Sequence, residues 1–324
     1  MNAPAQSHGQ QGAGLLRYRP WRGTFRGPLT GVWAIARGSL TIIFRRKLFW
    51  WLFGLATLTF LFYFFGQYLQ VFIEQKITDG TIRVGGLFQR QVNPEIIMKS
   101  LRDGLQLNGT ADTYANLIWF EGYIVLVIMA FTGSICVGND FLHGSLPFYL
   151  SKPIHRWHYI LGKALAIAIL INLMTTLPAL ALYIEYGFIE SWEYYFTAWR
   201  LLLGILIYGG AITIVLGSLL LALASWLRKT VPLVMIWTTL FILGKALASW
   251  FVDGLKLSER WRLFDLWNDL YLLGHWSFGS PPKNLRPSWQ MQPQYHEAAL
   301  VLAAVTLVCC FYLHRRIRAI EVIV

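Results

Sequence analysis

Few residues in this chain have both the type and the spacing for chemistry. A phosphate-binding loop needs Gly, four residues, then Gly-Lys-Ser/Thr, so that backbone N–H groups cradle the phosphates and the hydroxyl reaches Mg2+. The two Gly-Lys pairs, Gly162-Lys163 and Gly244-Lys245, are each followed by Ala, and Trp157 and Thr239 stand where the earlier Gly would be. ATP hydrolysis is therefore not expected of this chain. His296-Glu297 lacks the second His of a zinc-protease helix. His143, His155 and His158 lie close in sequence but bring no Cys or carboxylate at ligand spacing, so solvated or headgroup-facing imidazoles are expected there. Cys309-Cys310 would point about 100° apart on a helix, a poor pair for a soft metal. Two charges inside apolar runs remain, Glu121 and Lys245. Ionisable groups in such a setting read as functional by default. They can pair to line a pathway, or each can snorkel to the outer interface.

Those charges stand out because their surroundings are so apolar. Of 324 residues, 56% are hydrophobic and 14% are charged, against roughly a quarter charged in soluble domains. Six runs approach or exceed the ~20 residues that a bilayer crossing needs: Leu48 to Ile73, Leu117 to Val137, Tyr159 to Ile184, Arg200 to Ala224, Pro232 to Phe251 and Ala298 to Leu313. The net charge of +12 collects beside them, at Arg45-Arg46-Lys47, Arg228-Lys229 and Arg315-Arg316. Basic residues flanking spans mark the cytoplasmic side, whereas a nucleic-acid protein gathers them on a soluble face with interleaved aromatics. The expected partner is thus the lipid bilayer and not nucleic acid. Glu74 to Asn116 carries five acidic and five basic residues, and Glu185 to Ala198 has three Glu with no Lys or Arg, as outer segments should. The expected fold is an all-α integral membrane protein with six transmembrane helices, in the inner (plasma) membrane, with both termini cytoplasmic.

Four regions follow. Residues 1–28 read as a disordered, basic N-terminal segment. Residues 29–47 read as an interfacial amphipathic helix, with Val32, Trp33, Ile35, Ala36, Leu40, Ile43 and Phe44 at near-helical spacing. Residues 48–313 form the six-span membrane domain, and 314–324 a basic cytoplasmic tail. Within the fourth span Gly210, Thr213 and Gly217 share a face that another helix can approach closely. The Trp- and Tyr-rich portion Trp261 to Trp276 is expected to form helices dipping into the outer interface. A short amphipathic outer helix is expected over Pro94 to Leu107.

The polar stretch Gly138 to Lys163 links the second and third runs on the cytoplasmic side. Asp140 opens it. Ser145 is a good N-cap for a short helix through Leu146, Phe148 and Leu150, Pro147 is tolerated in its first turn, and Pro153 pushes Lys152 out of helical geometry. An acid, then Gly144-Ser145, a short apolar helix, Pro153, Arg156, and Gly162-Lys163 entering the next span: this order resembles the coupling loop of ABC-2 type transporter permeases. The segment 29–47 resembles the elbow helix of that family. One departure is His155, where the family usually has Ser capping the next helix.

The resemblance implies the membrane-spanning permease subunit of an ATP-binding cassette transporter, an exporter, paired with a second copy or a related permease. A separate ATPase subunit would bind ATP and Mg2+, so no cofactor belongs to this chain. The residues expected to couple to that ATPase are Asp140, Gly144, Ser145, Leu146, Phe148, Leu150, Pro153 and Arg156. Two other classes are open: a membrane-embedded enzyme, which needs paired carboxylates or His with Asp or Glu on facing spans, and a non-transporting scaffold, which would lack an ATPase partner.

Overall fold

A computed structural model describes residues 27–78, 107–138, 140, 156–227, 229–280 and 292–316, and every regular element among them is helical. Helix α1 (Pro28–Phe44) turns at Arg45-Arg46 into α2 (Lys47–Thr78). The corner is held by the Trp50 indole N–H, which donates to the Phe44 carbonyl at 2.8 Å. Then come α3 (Ala111–Gly133), α4 (Arg156–Met174), α5 (Thr176–Glu190), the single turn α6 (Glu193–Thr197) and α7 (Trp199–Trp226). Helices α8 (Thr230–Thr238) and α9 (Gly244–Ser249) follow, then α10 (Leu266–Ser277) and α11 (Tyr295–Arg316).

Among the described residues six stretches are long and apolar enough to cross a membrane: Lys47–Ile73, Ala111–Gly138, Trp157–Glu190, Trp199–Trp226, Thr230–Gly254 and Tyr295–Arg316. Each contains one of the expected runs and continues past it, because helical geometry does not stop where hydropathy falls. Their burial separates centre from rim. Spans two and four are 67% and 61% buried over their most apolar windows, while spans one, five and six are 17–22% buried. The outer faces of those three carry rows of exposed Leu, Phe and Trp, such as Leu58, Phe62, Phe65, Ile242 and Leu307.

Span three is two helices. Pro178 has no N–H to donate to the Met174 carbonyl, which breaks the ladder one turn earlier, and α4 gives way to α5 at Thr175. The Thr175 hydroxyl bonds back to the Ile171 carbonyl at 2.8 Å. A polar clasp to span four crosses this break. The Asn172 amide nitrogen donates to Thr213 Oγ1 at 2.9 Å, and its oxygen accepts from Thr176 Oγ1 at 2.6 Å. Thr213 thus takes part in the close approach, and a Cβ added at Gly217 would lie 3.7 Å from Ile167, in ordinary contact, but one added at Gly210 would meet nothing within 4 Å. The tight position is its neighbour Gly209, where an added Cβ would sit 1.9 Å from Thr176 Oγ1. One residue is about 100° of helix rotation, enough to turn the small-residue face away from the one expected.

Two wide π-type turns, Thr239–Leu243 and Trp250–Gly254, interrupt span five, and another, Ser134–Gly138, ends span two. After span five a 3-10 turn (Glu259–Phe264) leads into α10, which Asp265 caps by accepting from the N–H groups of Trp267 (3.1 Å) and Asn268 (3.2 Å). This helix sits deeper than expected. It packs against spans two, four and six, and glycines supply its sockets: Gly122 receives Trp267, while Gly204 receives Phe278. Its own Gly274 admits Tyr208 of span four. The expected outer helix over Pro94 to Leu107 lies outside the described residues except for Leu107. So do the 1–26 part of the N-terminal segment and residues 317–324 of the tail.

Candidate coupling site and the buried charges

Helix α1 lies along α4, burying Val32, Ile35, Ala36, Leu40 and Ile43. Gly162 makes this possible. A Cβ there would stand 2.8 Å from the Ile35 Cβ and 2.9 Å from the Val32 carbonyl oxygen, inside contact distance. The motif glycine is therefore the seat of α1, and any side chain would lift that helix away.

The next residue, Lys163, points into a buried polar knot. It is 4% exposed. Its Nζ lies 2.8 Å from Asp140 Oδ2 and also donates to the Cys136 carbonyl in the π turn that ends span two. Tyr159, one turn earlier on α4, donates its hydroxyl to the same Asp140 oxygen at 2.9 Å, and its ring lies 5.6 Å from the ammonium. Taking two charges out of water is costly unless their hydrogen bonds are complete, and here the carboxylate gains two donors while the ammonium gains a carboxylate and a carbonyl. The consequence is mechanical: the two ends of segment 141–155 are tied together, to the end of span two and to the start of span three. Nearby, Trp157 stacks on His314 of span six with ring centroids 5.5 Å apart, so the start of span three is fixed on that side too.

Sequence reasoning named Asp140 and Gly162-Lys163 as separate motif positions and missed both their union and Tyr159. The available signal was the Tyr159–Lys163 spacing of four, which puts both on one helix face. Arg156 begins α4, while Gly144, Ser145, Leu146, Phe148, Leu150 and Pro153 lie outside the described residues, and the expected short helix with them.

The known family described as ABC-2 family transporter protein matches residues 33–258, from α1 to just past span five. The chain belongs to the ABC-2 transporter family. It is a multi-pass membrane permease of an ABC transporter, and the knot of Asp140, Tyr159 and Lys163 lies within the matched region. No curated protein matches the chain.

The permease does not join Glu121 to Lys245. Lys245 Nζ donates to the Tyr123 hydroxyl at 3.2 Å and lies 5.5 Å from that ring. Residues 121 and 123 are about 200° apart around α3, so a side chain that reaches Tyr123 has passed to the other side of the helix from Glu121. The pair is thus replaced by a Lys245–Tyr123 contact. Glu121 does not snorkel either: it is 0% exposed, and neither carboxyl oxygen has a hydrogen-bond partner among the described residues.

Proposed function

We propose that the permease is the membrane subunit of an ATP-driven exporter, with two copies, or this chain and a related permease, enclosing the path. A separate ATPase, holding ATP and Mg2+, docks at the cytoplasmic loop Gly138 to Lys163. Both termini lie in the cytoplasm, the membrane is the plasma membrane, and α1 lies at the inner interface as an elbow. The observation that supports this reading best is the buried Asp140–Lys163–Tyr159 knot. The knot ties the end of span two to the start of span three, so a displacement of either span by a docked ATPase reaches the other, and through Gly162 reaches α1. Export, rather than uptake, rests on the likeness of the loop and elbow to the ABC-2 type.

The test is isolation of the permease from its native membrane in mild detergent. The expected result is a co-purifying ATPase whose turnover depends on the permease. A permease that purifies alone, with every ATPase of the membrane left in the unbound fraction, would contradict the reading.

A further inference from the structure

Span one turns one stripe inward, toward span two and α5. In the outer half of the span that stripe is not apolar. It consists of Tyr63, Gln67 and Gln70, spaced as i, i+4 and i+7, with Gln67 0% and Gln70 8% exposed. Span one packs on span two at this level: Tyr63 and Phe120, the chain neighbour of Glu121, line the same groove. Buried polar atoms are nearly always hydrogen-bonded, but among the described residues both amide atoms of Gln67, the amide oxygen of Gln70 and both oxygens of Glu121 have no partner. Four of these five atoms are acceptors, so what they lack is a donor. Lys245 cannot serve, because it is bound to Tyr123 on the other side of the span-two helix.

Beside this cluster runs an apolar groove lined by Leu58, Leu61, Phe62, Phe65, Leu69 and Phe120, with Tyr63 and Gly66 also in its wall. Tyr63 belongs both to the inward stripe and to the groove wall, and Phe120 of that wall is the chain neighbour of Glu121. A polar acceptor site and a hydrocarbon-sized groove thus share an edge.

We propose that the outer halves of spans one and two bind an amphiphile with a primary ammonium head. The ammonium donates its protons to Glu121, Gln67 and Gln70 after Tyr63 rotates aside, and the hydrocarbon chain lies along Phe62, Phe65 and Phe120. An ammonium fits this set better than a hydroxyl, because it brings three donors and a charge opposite to that of the carboxylate. The inference rests on the permease reading only for the idea that the ligand is cargo; binding itself requires no ATPase.

The experiment is equilibrium binding of radiolabelled dodecylamine to the purified permease in phosphatidylcholine nanodiscs. Saturable binding is expected in the wild type. Glu121→Gln, which keeps the shape and removes the charge, should weaken it about tenfold or more. Phe65→Ala changes an exposed groove residue that folding does not need, and should weaken dodecylamine binding several-fold. Dodecanol should not compete. A second arm adds phosphatidylethanolamine to the nanodiscs: loss of dodecylamine binding identifies a membrane aminolipid as the occupant, and unchanged binding identifies a free amphiphilic amine, both in keeping with the proposal. Wild-type affinity in Glu121→Gln or in Phe65→Ala, equal competition by dodecanol, or no saturable binding in the wild type would overturn it. ATPase co-purification is unaffected by any of these results, so failure here leaves the coupling reading standing, and the reverse also holds.

Discussion

Lys163 is the residue that joins the end of span two to the start of span three. Replacing it by Met leaves the Asp140 carboxylate largely buried with only the Tyr159 hydroxyl for company. Breaking a buried pair from one side costs roughly 3–5 kcal/mol, while replacing both members by apolar groups is often close to neutral. Lys163→Met is therefore expected to lower the thermal midpoint of the purified permease, and Lys163→Met combined with Asp140→Leu to recover most of the loss. Equal midpoints for the wild type and Lys163→Met would mean that the pair contributes nothing to the fold. At this scale the sequence was partly legible. The loop chemistry singled out Asp140, Gly162 and Lys163 as residues of interest, because acids, glycines and lysines at the edge of an apolar run are rare. Which of them meet was not legible, since that depends on helix rotation. The same limit produced the Glu121–Lys245 pairing: both lie in outer halves, but depth along a span says nothing of the direction a side chain takes around it.

Among the elements, α10 has the clearest internal chemistry. Asp265 caps it and Asp269, one turn on, is 0% exposed with both carboxyl oxygens unpartnered. Burial, aided by the neighbouring charge of Asp265, pushes the Asp269 carboxyl up to about 9. Burial also raises Asp265, against the lowering effect of its capping hydrogen bonds and of Lys245 and Arg262. The folded value of Asp269 thus lies above the unfolded one of about 4, so between these limits the native state holds a proton that the unfolded chain has released. Stability is then fully present below about pH 4 and declines as pH rises toward 9. Thermal denaturation of the purified permease should show a midpoint falling from pH 5 to pH 9, and Asp269→Asn should flatten that slope. A slope that persists unchanged in Asp269→Asn would place its origin elsewhere. The existence of α10 was legible from its Trp- and Tyr-rich stretch, but its depth was not. An aromatic belt at an interface and an aromatic face sunk into glycine sockets have the same composition; Gly122, Gly204 and Gly274 decide between them only once they face Trp267, Phe278 and Tyr208. Pro178 was likewise visible in the third run, yet only the backbone shows that it divides the span at Thr175.

Over the whole molecule, six apolar runs and the charges between them were enough to establish the number of spans, because hydropathy and basic flanks are local properties that need no partner. The same charges fix the expected orientation. Single Cys probes at Trp157 and Trp192, in a background lacking Cys136, Cys309 and Cys310, should divide under an impermeant maleimide in intact cells. Position 192 is exposed and, on the expected outer side, should label, and position 157 should label only after permeabilisation. Labelling of 157 in intact cells would reverse the topology and move the Asp140–Lys163 knot to the wrong face for an ATPase.

With that orientation, we propose that Leu146, Phe148 and Leu150 dock the ATPase. Leaving such side chains in water forgoes roughly 1.5–3 kcal/mol each, whereas a short apolar helix set into a partner groove would recover it. The most direct measurement is co-purification of the ATPase with correctly inserted Phe148→Asp permease, alongside ATP turnover in the same reconstituted vesicles. The result expected is normal insertion with the ATPase lost and permease-dependent turnover abolished. Full ATPase binding and full coupled transport in Phe148→Asp would contradict the account, because the pinned loop would then have no load to carry.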